Sequence, residues 1–255
     1  MRILATYNIK GGVGKTATAV NLSYLAARDG FRVLLWDLDP QGAASFLFRV
    51  KPRVKGGGKG LIQGRRPLDG AIKGTDFDNL DLLPADFTYR NLDLLLDAAK
   101  KPERRLASLL APLKSEYDAV ILDCPPSISL LSESVLHAAH LLLVPLIPTT
   151  LSVRTLDQLT EFVGEFNGHR PDVLAFFSMV DRRKRLHTQI TRDLPTQRPD
   201  FATAVIPALS VIEQMSVQRA PVAAFAPRSV AAREYEALWQ EARKRAGLRI
   251  RPTAA

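Results

Sequence analysis

The chain has 255 residues, 46% of them hydrophobic, which is enough for one large α/β domain with a sizeable core. Lys and Arg number 35 against 26 Asp and Glu, a net charge of +9. That excess suits a polyanionic partner, either nucleic acid or an anionic membrane surface, or else a solvated basic face. The single cysteine, Cys124, excludes an internal disulfide and a cysteine-rich metal or cluster site. No apolar run is long enough to span a bilayer, and the N-terminus lacks a signal-peptide apolar region, so a cytoplasmic location is expected.

In chain order, "RILATYN" predicts a short strand that runs into a glycine-rich turn. Residues 15–29 predict a helix closed by Gly30. "RVLLWDLD" (32–39) is a continuous apolar run ending in carboxylates, the pattern of a strand buried on both faces of a parallel sheet. Residues 49–75 change character: basic residues recur, "KGGGKG" sits among them, and periodicity fades, so a basic flexible loop is expected. "LDLLPA" (80–85) predicts another strand, and helical patterns follow around 90–115. "YDAVILDCPPS" (117–127), "HLLLVPLIPTT" (140–150), "VLAFFSMV" (173–180) and "TAVIPALS" (203–210) predict four more strands. Residues 229–246 predict an amphipathic helix, followed by the end of a basic tail counted from 243 to 255. Strands alternating with helices give the expected fold class: α/β, a mostly parallel central sheet with helices on both faces, in a single domain.

The chemistry concentrates in "KGGVGKT". Gly11, Gly12 and Gly14 let the chain turn tightly, so the N–H groups from Gly11 through Val13 to Gly14 can converge on one anion. The helix beginning at Lys15 adds its positive N-terminal end. Lys15 supplies a charge for the β and γ phosphates, and the Thr16 hydroxyl suits Mg²⁺. Asp37 and Asp39 stand at the end of the second strand and Asp123 at the end of "AVILD". Carboxylates at the carboxyl edge of such a sheet border the ligand crevice, where they can orient water or hold Mg²⁺. The four histidines show no metal-ligand spacing.

Taken together, "KGGVGKT", "DLDPQG" and "DCPPS" closely resemble the ParA/MinD superfamily of deviant P-loop ATPases, and "DLDPQG" is nearer the ParA, Soj-like branch. "LLLVPLIPTT", "VIPALS" and "APVAAFAPRSVAAREYEAL" extend the resemblance over nearly the whole chain. It implies an ATPase using ATP and Mg²⁺, slow without a partner, that forms a homodimer when ATP-bound. Lys10 matches the lysine that crosses the dimer interface to the partner's nucleotide. Lys15 matches the phosphate lysine, Thr16 the Mg²⁺ ligand, Asp39 the water-positioning acid and Asp123 the metal-side acid. Asp37 would support the Mg²⁺ shell or the switch segment, and Pro207 falls where the family contacts adenine.

Two departures stand out. Ala17 replaces a threonine that could contact the α-phosphate, leaving only its backbone N–H, and Pro207–Val211 lacks the arginines that help ParA proteins bind DNA. Other cations offer substitutes: Arg182, Arg183, Lys184 and Arg185, then Arg219, Arg228 and Arg233, with Arg243, Lys244, Arg245, Arg249 and Arg251 in the tail. The implied role is a nucleoid-associated positioning protein for a plasmid, chromosome or protein assembly, with a ParB-like or cargo-adaptor partner. A MinD-like membrane role needs a C-terminal amphipathic helix, and the end offers only Leu248 and Ile250 before Pro252. A small-molecule ligase on the same scaffold is the third reading.

Overall fold

In the computed structural model, residues 1–98, 101–166 and 169–250 are described. The chain opens with β1 (Arg2–Thr6), α1 (Lys15–Arg28), β2 (Val33–Asp37), α2 (Ala43–Leu47) and α3 (Gly58–Ile62). Next come β3 (Lys73–Gly74), β4 (Leu80–Leu83), α4 (Leu92–Asp97), α5 (Arg105–Leu110) and β5 (Ala119–Asp123). Then follow α6 (Leu130–Ala138), β6 (Leu141–Leu146), α7 (Thr150–Gly164), β7 (Asp172–Val180), α8 (Arg185–Gln197) and β8 (Phe201–Pro207). Three short helices, α9 (Ser210–Glu213), α10 (Met215–Gln218) and α11 (Val222–Phe225), lead into α12 (Val230–Arg245).

The eight strands form one sheet in the order β3-β4-β2-β5-β1-β6-β7-β8. All pairs are parallel except β3 with β4. Every residue of β2, β5 and β6 is buried, as uninterrupted apolar strands between two helical layers must be. Alternate side chains feed two cores. Ile3, Leu34, Trp36 and Val120 face the layer of α4, α5 and α6, while Leu4, Val33, Leu35 and Ile121 face α1 and α12. α12 lays Tyr235, Leu238 and Trp239 into the second core, and the Trp239 indole N–H donates to Asp29 Oδ2 at 2.8 Å. Its start is capped by Ser229, whose hydroxyl accepts from Ala232 N, and its last turn carries Arg243, Lys244 and Arg245 at the negative end of the dipole.

Residues 49–75 differ from the expected flexible loop. They contain α3, a 3₁₀ turn at Asp69–Ala71 and β3, and they send Val54, Leu61, Ile62, Leu68 and Ala71 into the first core. Asp86 ties the stretch down by accepting from Val54 N at 2.8 Å. The apolar anchors are spaced too irregularly among the basic residues to show a helical or strand period. At the other end, the expected basic tail begins inside α12: Arg243 donates to Leu248 O and Arg245 pairs with Asp172. Arg251 and the rest of 251–255 lie outside the described residues.

Candidate active site

β1, β2 and β5 end together because their register places Thr6 beside Asp123 and Asp37 beside Asp123. The chain leaves β1 through Tyr7–Gly14 and enters α1 at Lys15. Asn8 shapes this turn: its buried amide donates to Pro145 O at 2.8 Å and its Oδ1 accepts from Lys10 N at 2.9 Å. Gly14 takes the left-handed conformation, φ 94°, and a Cβ there would lie 2.9 Å from Ser178 Oγ. Glycine is therefore required twice over, by backbone angle and by the neighbouring strand. No acidic side chain occupies the first turn of α1, so its N–H groups and dipole are open to an anion.

The loop floors a cavity of about 390 Å³. Gly11, Gly12, Gly14, Lys15, Thr16 and Ala17 form one wall, Asp39 and Pro126 a second, and Pro207 with Ala208, Leu209, Ile212 and Glu213 a third. Ser178 and Met179, from the end of β7, complete it. Met179 is held at φ 55° to turn its backbone there. Val13 is buried beneath the loop. Ser178, Met179, Glu213 and Asn8 were not legible as site residues, because long-range packing brings them to the loop and no local motif marks them.

Lys15 is buried and donates to Lys10 O at 2.9 Å. Burial lowers its pKa, and the charges of Asp123, Cys124 and Asp39 pull the other way. Asp123 is fully buried and held well above the ordinary carboxylate range, first by burial and then by Asp37, with the Thr16 hydroxyl and Lys15 opposing. Its Oδ2 has no hydrogen-bond partner. A buried unpaired carboxylate oxygen beside a second acid and a threonine hydroxyl calls for a cation. No group of three His, Cys, Asp or Glu that could hold a metal occurs among the described residues. The Thr16 hydroxyl and Asp123 carboxylate suit Mg²⁺, which keeps water and phosphate oxygens and takes few protein ligands.

Asp37 is fully buried and hydrogen-bonded to the segment after β2. Its Oδ2 accepts from Ser45 N at 2.8 Å and Ser45 Oγ at 2.7 Å, and its Oδ1 from Asp39 N at 3.3 Å. Burial pushes its pKa up to about 6, against the bonds from Ser45. Its oxygens thus serve the chain that follows β2. Asp39 is half-buried, lines the cavity and accepts from Gln41 N at 2.9 Å. Cys124 is buried, and burial with Asp123 pushes its thiol well up, which makes it unreactive. Lys10 does not line the cavity of its own subunit. Its ammonium lies against α7, 3.4 Å from Ser152 Oγ.

The AAA_31 family, an AAA domain, matches residues 1–175. Over 246 residues the chain is 32% identical to the sporulation initiation inhibitor protein Soj of Bacillus subtilis, a match covering 94% of this chain and 97% of Soj. It is 34% identical over 218 residues to the chromosome partitioning protein ParA of Caulobacter vibrioides, covering 81% of this chain and 80% of that protein. The chain belongs to the ParA/MinD superfamily of P-loop ATPases, in its Soj-like branch. Among solved structures, an ATP complex of a Cyanothece McdA variant shares the fold with TM-score 0.82 at 21% identity over 99% of each chain. Cobyrinic acid a,c-diamide synthase from Mycobacterium smegmatis, with bound ADP and magnesium, gives 0.80 at 27% identity over 100% of this chain and 99% of that one.

The cations considered for DNA in this ParA/MinD relative fall into separate groups. Arg182, Arg183, Lys184 and Arg185 are exposed between β7 and α8, with Arg183 paired to Asp181. Arg228 and Arg233 meet at the start of α12, where Arg233 Nη1 donates to Arg228 O. Arg219 instead packs against α2, donating to Phe46 O at 3.0 Å. No hydrogen bond joins one group to another among the described residues.

Proposed function

We propose that this protein is an ATP-dependent dimerising ATPase that positions or partitions a cargo, binding DNA without sequence preference in its ATP state, with hydrolysis stimulated by a partner protein. The observation that carries the reading is the division of the two lysines: Lys15 is buried at the loop, while Lys10 lies outside its own cavity. Thr16 and Asp123 would hold Mg²⁺, which when bound neutralises phosphate charge. The loop N–H groups and Lys15 hold the phosphates, Asp39 orients the attacking water, and Pro207 borders the base. Lys10 supplies charge to the facing subunit, where two triphosphates would otherwise repel. A ParB-like or cargo-adaptor partner and association with the nucleoid complete the proposal. It draws support from the ParA relative, a chromosome partitioning protein.

Two other readings have less behind them. No helix among the described residues is long and apolar enough to cross a membrane. Near the last described residues, Leu248 is buried and Ile250 is exposed. The diamide-synthase neighbour supports a small-molecule enzyme, but the ParA relative, 34% identical and covering 81% of this chain, is a chromosome partitioning protein.

The test is Asp39→Ala. With ATP and Mg²⁺ this variant is expected to bind nucleotide and accumulate as a long-lived dimer by size-exclusion light scattering, with phosphate release reduced at least a hundredfold. Normal turnover by the variant would remove Asp39 from the mechanism. An ATP-loaded variant that stays monomeric would end the dimer reading.

A further inference from the structure

Four non-glycine residues among those described have positive φ, and two of them are arginines at helix ends. Arg49 (φ 60°) follows Phe48, the C-cap of α2, and Arg219 (φ 49°) is the C-cap of α10. Glycine normally fills such positions, because a Cβ there crowds its own carbonyl. The two arginines face each other. Arg49 Nη2 donates to Gln218 O at 3.1 Å, and Arg219 Nε donates to Phe46 O, with its guanidinium 4.6 Å from the Phe46 ring centre.

Together with Lys51 they line an open groove of about 670 Å³ between α2 and α10. Phe46, 47% exposed, stands on its wall. The only carboxylate paired with these three cations among the described residues is Asp76, 3.3 Å from Arg49, in an exposed, weak pair. From the groove the cations continue: between residues 49 and 66 there are seven Lys or Arg and no Asp or Glu. All seven are exposed on a stretch whose apolar residues are anchored in the core.

We propose that the α2–α10 groove binds the phosphodiester backbone of nucleic acid, with Arg49, Lys51 and Arg219 on the phosphates and the 49–66 stretch continuing the track. The proposal rests on the DNA-binding reading above and gives it a surface. Seven cations over eighteen residues with no acid among them match the regular charge of a nucleic-acid backbone, and their extent beyond the groove exceeds what a short acidic segment would engage. It also stands in for the arginines missing at Ala208–Val211. The groove is joined to the candidate active site through α2. Gly42 N donates to Asp39 O at 2.9 Å, and Ser45 is held by Asp37.

The experiment is fluorescence anisotropy of a short labelled DNA duplex against the ATP-loaded protein across a salt series. Arg49→Gly/Arg219→Gly removes both cations while relieving both left-handed residues, and Lys51→Glu reverses a third charge on the same groove. The double variant is expected to weaken binding at least tenfold and to lower the salt slope by about 2, since each phosphate contact contributes about 0.9. Lys51→Glu should weaken binding with its melting temperature unchanged. The result that overturns the groove is an unaltered slope in both variants, or a loss confined to alanine replacement of residues 182–185. Loss of binding to anionic vesicles with DNA binding intact would overturn it equally. Wild-type protein that binds no DNA with ATP would overturn the DNA reading itself and the groove with it, which separates the two failures.

Discussion

Lys10→Ala tests the feature that separates this loop from an ordinary phosphate-binding loop. In the free subunit the Lys10 ammonium makes one long contact, 3.4 Å to Ser152 Oγ, and its main-chain N–H is held by Asn8 whatever the side chain. Removing it should therefore change subunit stability by no more than about 0.5 kcal/mol. In the ATP dimer the same charge would sit beside a partner's phosphates. At about 4 Å and an effective dielectric of about 20, the attraction is roughly 4 kcal/mol per pair. Truncating one member of a desolvated charge pair costs about 2–5 kcal/mol, and a two-fold dimer contains the pair twice. The expected loss is about 4–10 kcal/mol, and even the lower bound is about a thousandfold in the dimer constant. The assay is sedimentation velocity with ATP and Mg²⁺, comparing Asp39→Ala with Lys10→Ala/Asp39→Ala so that hydrolysis does not empty the dimer. Nucleotide affinity is read in parallel with a fluorescent ATP analogue. An unchanged dimer constant refutes the reasoning. So does a parallel collapse of nucleotide affinity in the monomer, which would mean that Lys10 serves its own site.

Ser45→Ala should destabilise the fold by about 2–4 kcal/mol in urea unfolding, because Ser45 Oγ both donates to the buried Asp37 carboxyl and accepts from Ala85 N at 2.9 Å. A shift below about 0.5 kcal/mol would mean that the switch segment is held elsewhere. His140 gives a pH prediction. Its Nδ1 accepts from Ile3 N, and burial, then Arg2, His169 and the N-terminus, hold its pKa down to about 4. The unfolded imidazole takes up its proton first, so stability is lost as pH falls from about 6.5 towards 4. The half-exposed site discounts the loss to about 1–2 kcal/mol. His140→Asn, which keeps an acceptor and does not titrate, should lose less melting temperature than wild type between about pH 7 and pH 5. Equal losses would exclude His140 as the cause.

Seven of the eight strands were legible as short apolar runs, two of them, β2 and β5, ending in carboxylates, whereas β3, two exposed residues in a basic stretch, was not. The loop from Lys10 to Thr16 was legible for a related reason: its chemistry depends on the local backbone, and glycine marks that backbone. What escaped notice depends on contacts far apart in sequence. Ser178 touches the loop only because β7 ends beside it, and Met179 lines the cavity through a turn that no glycine announces. The order in the 49–75 stretch is hidden because five buried residues anchor it while its exposed cations dominate the composition. Arg49 and Arg219 hid for the opposite reason: they occupy positions where a reader looks for glycine.

The two acids after β2 show why spacing alone could not assign roles. Asp37 and Asp39 are two residues apart, both charged and both at the carboxyl edge of the sheet. Alternation sends Asp37 inward, to full burial against Asp123, and a buried carboxylate takes its hydrogen bonds from nearby N–H and O–H groups. Ser45, in the helix that follows, is where they come from. Asp39, one step beyond the strand, stays half-exposed on the cavity wall. A rearrangement at Asp39 would then pull on Gly42 and on an α2 that Asp37 clamps at Ser45. The segment would respond as a unit up to Phe46 and Arg49. In physical terms, the cavity and the cationic groove are linked by the Gly42 N bond to Asp39 O and by the Asp37–Ser45 pair, and breaking the buried pair should loosen that link before it unfolds either.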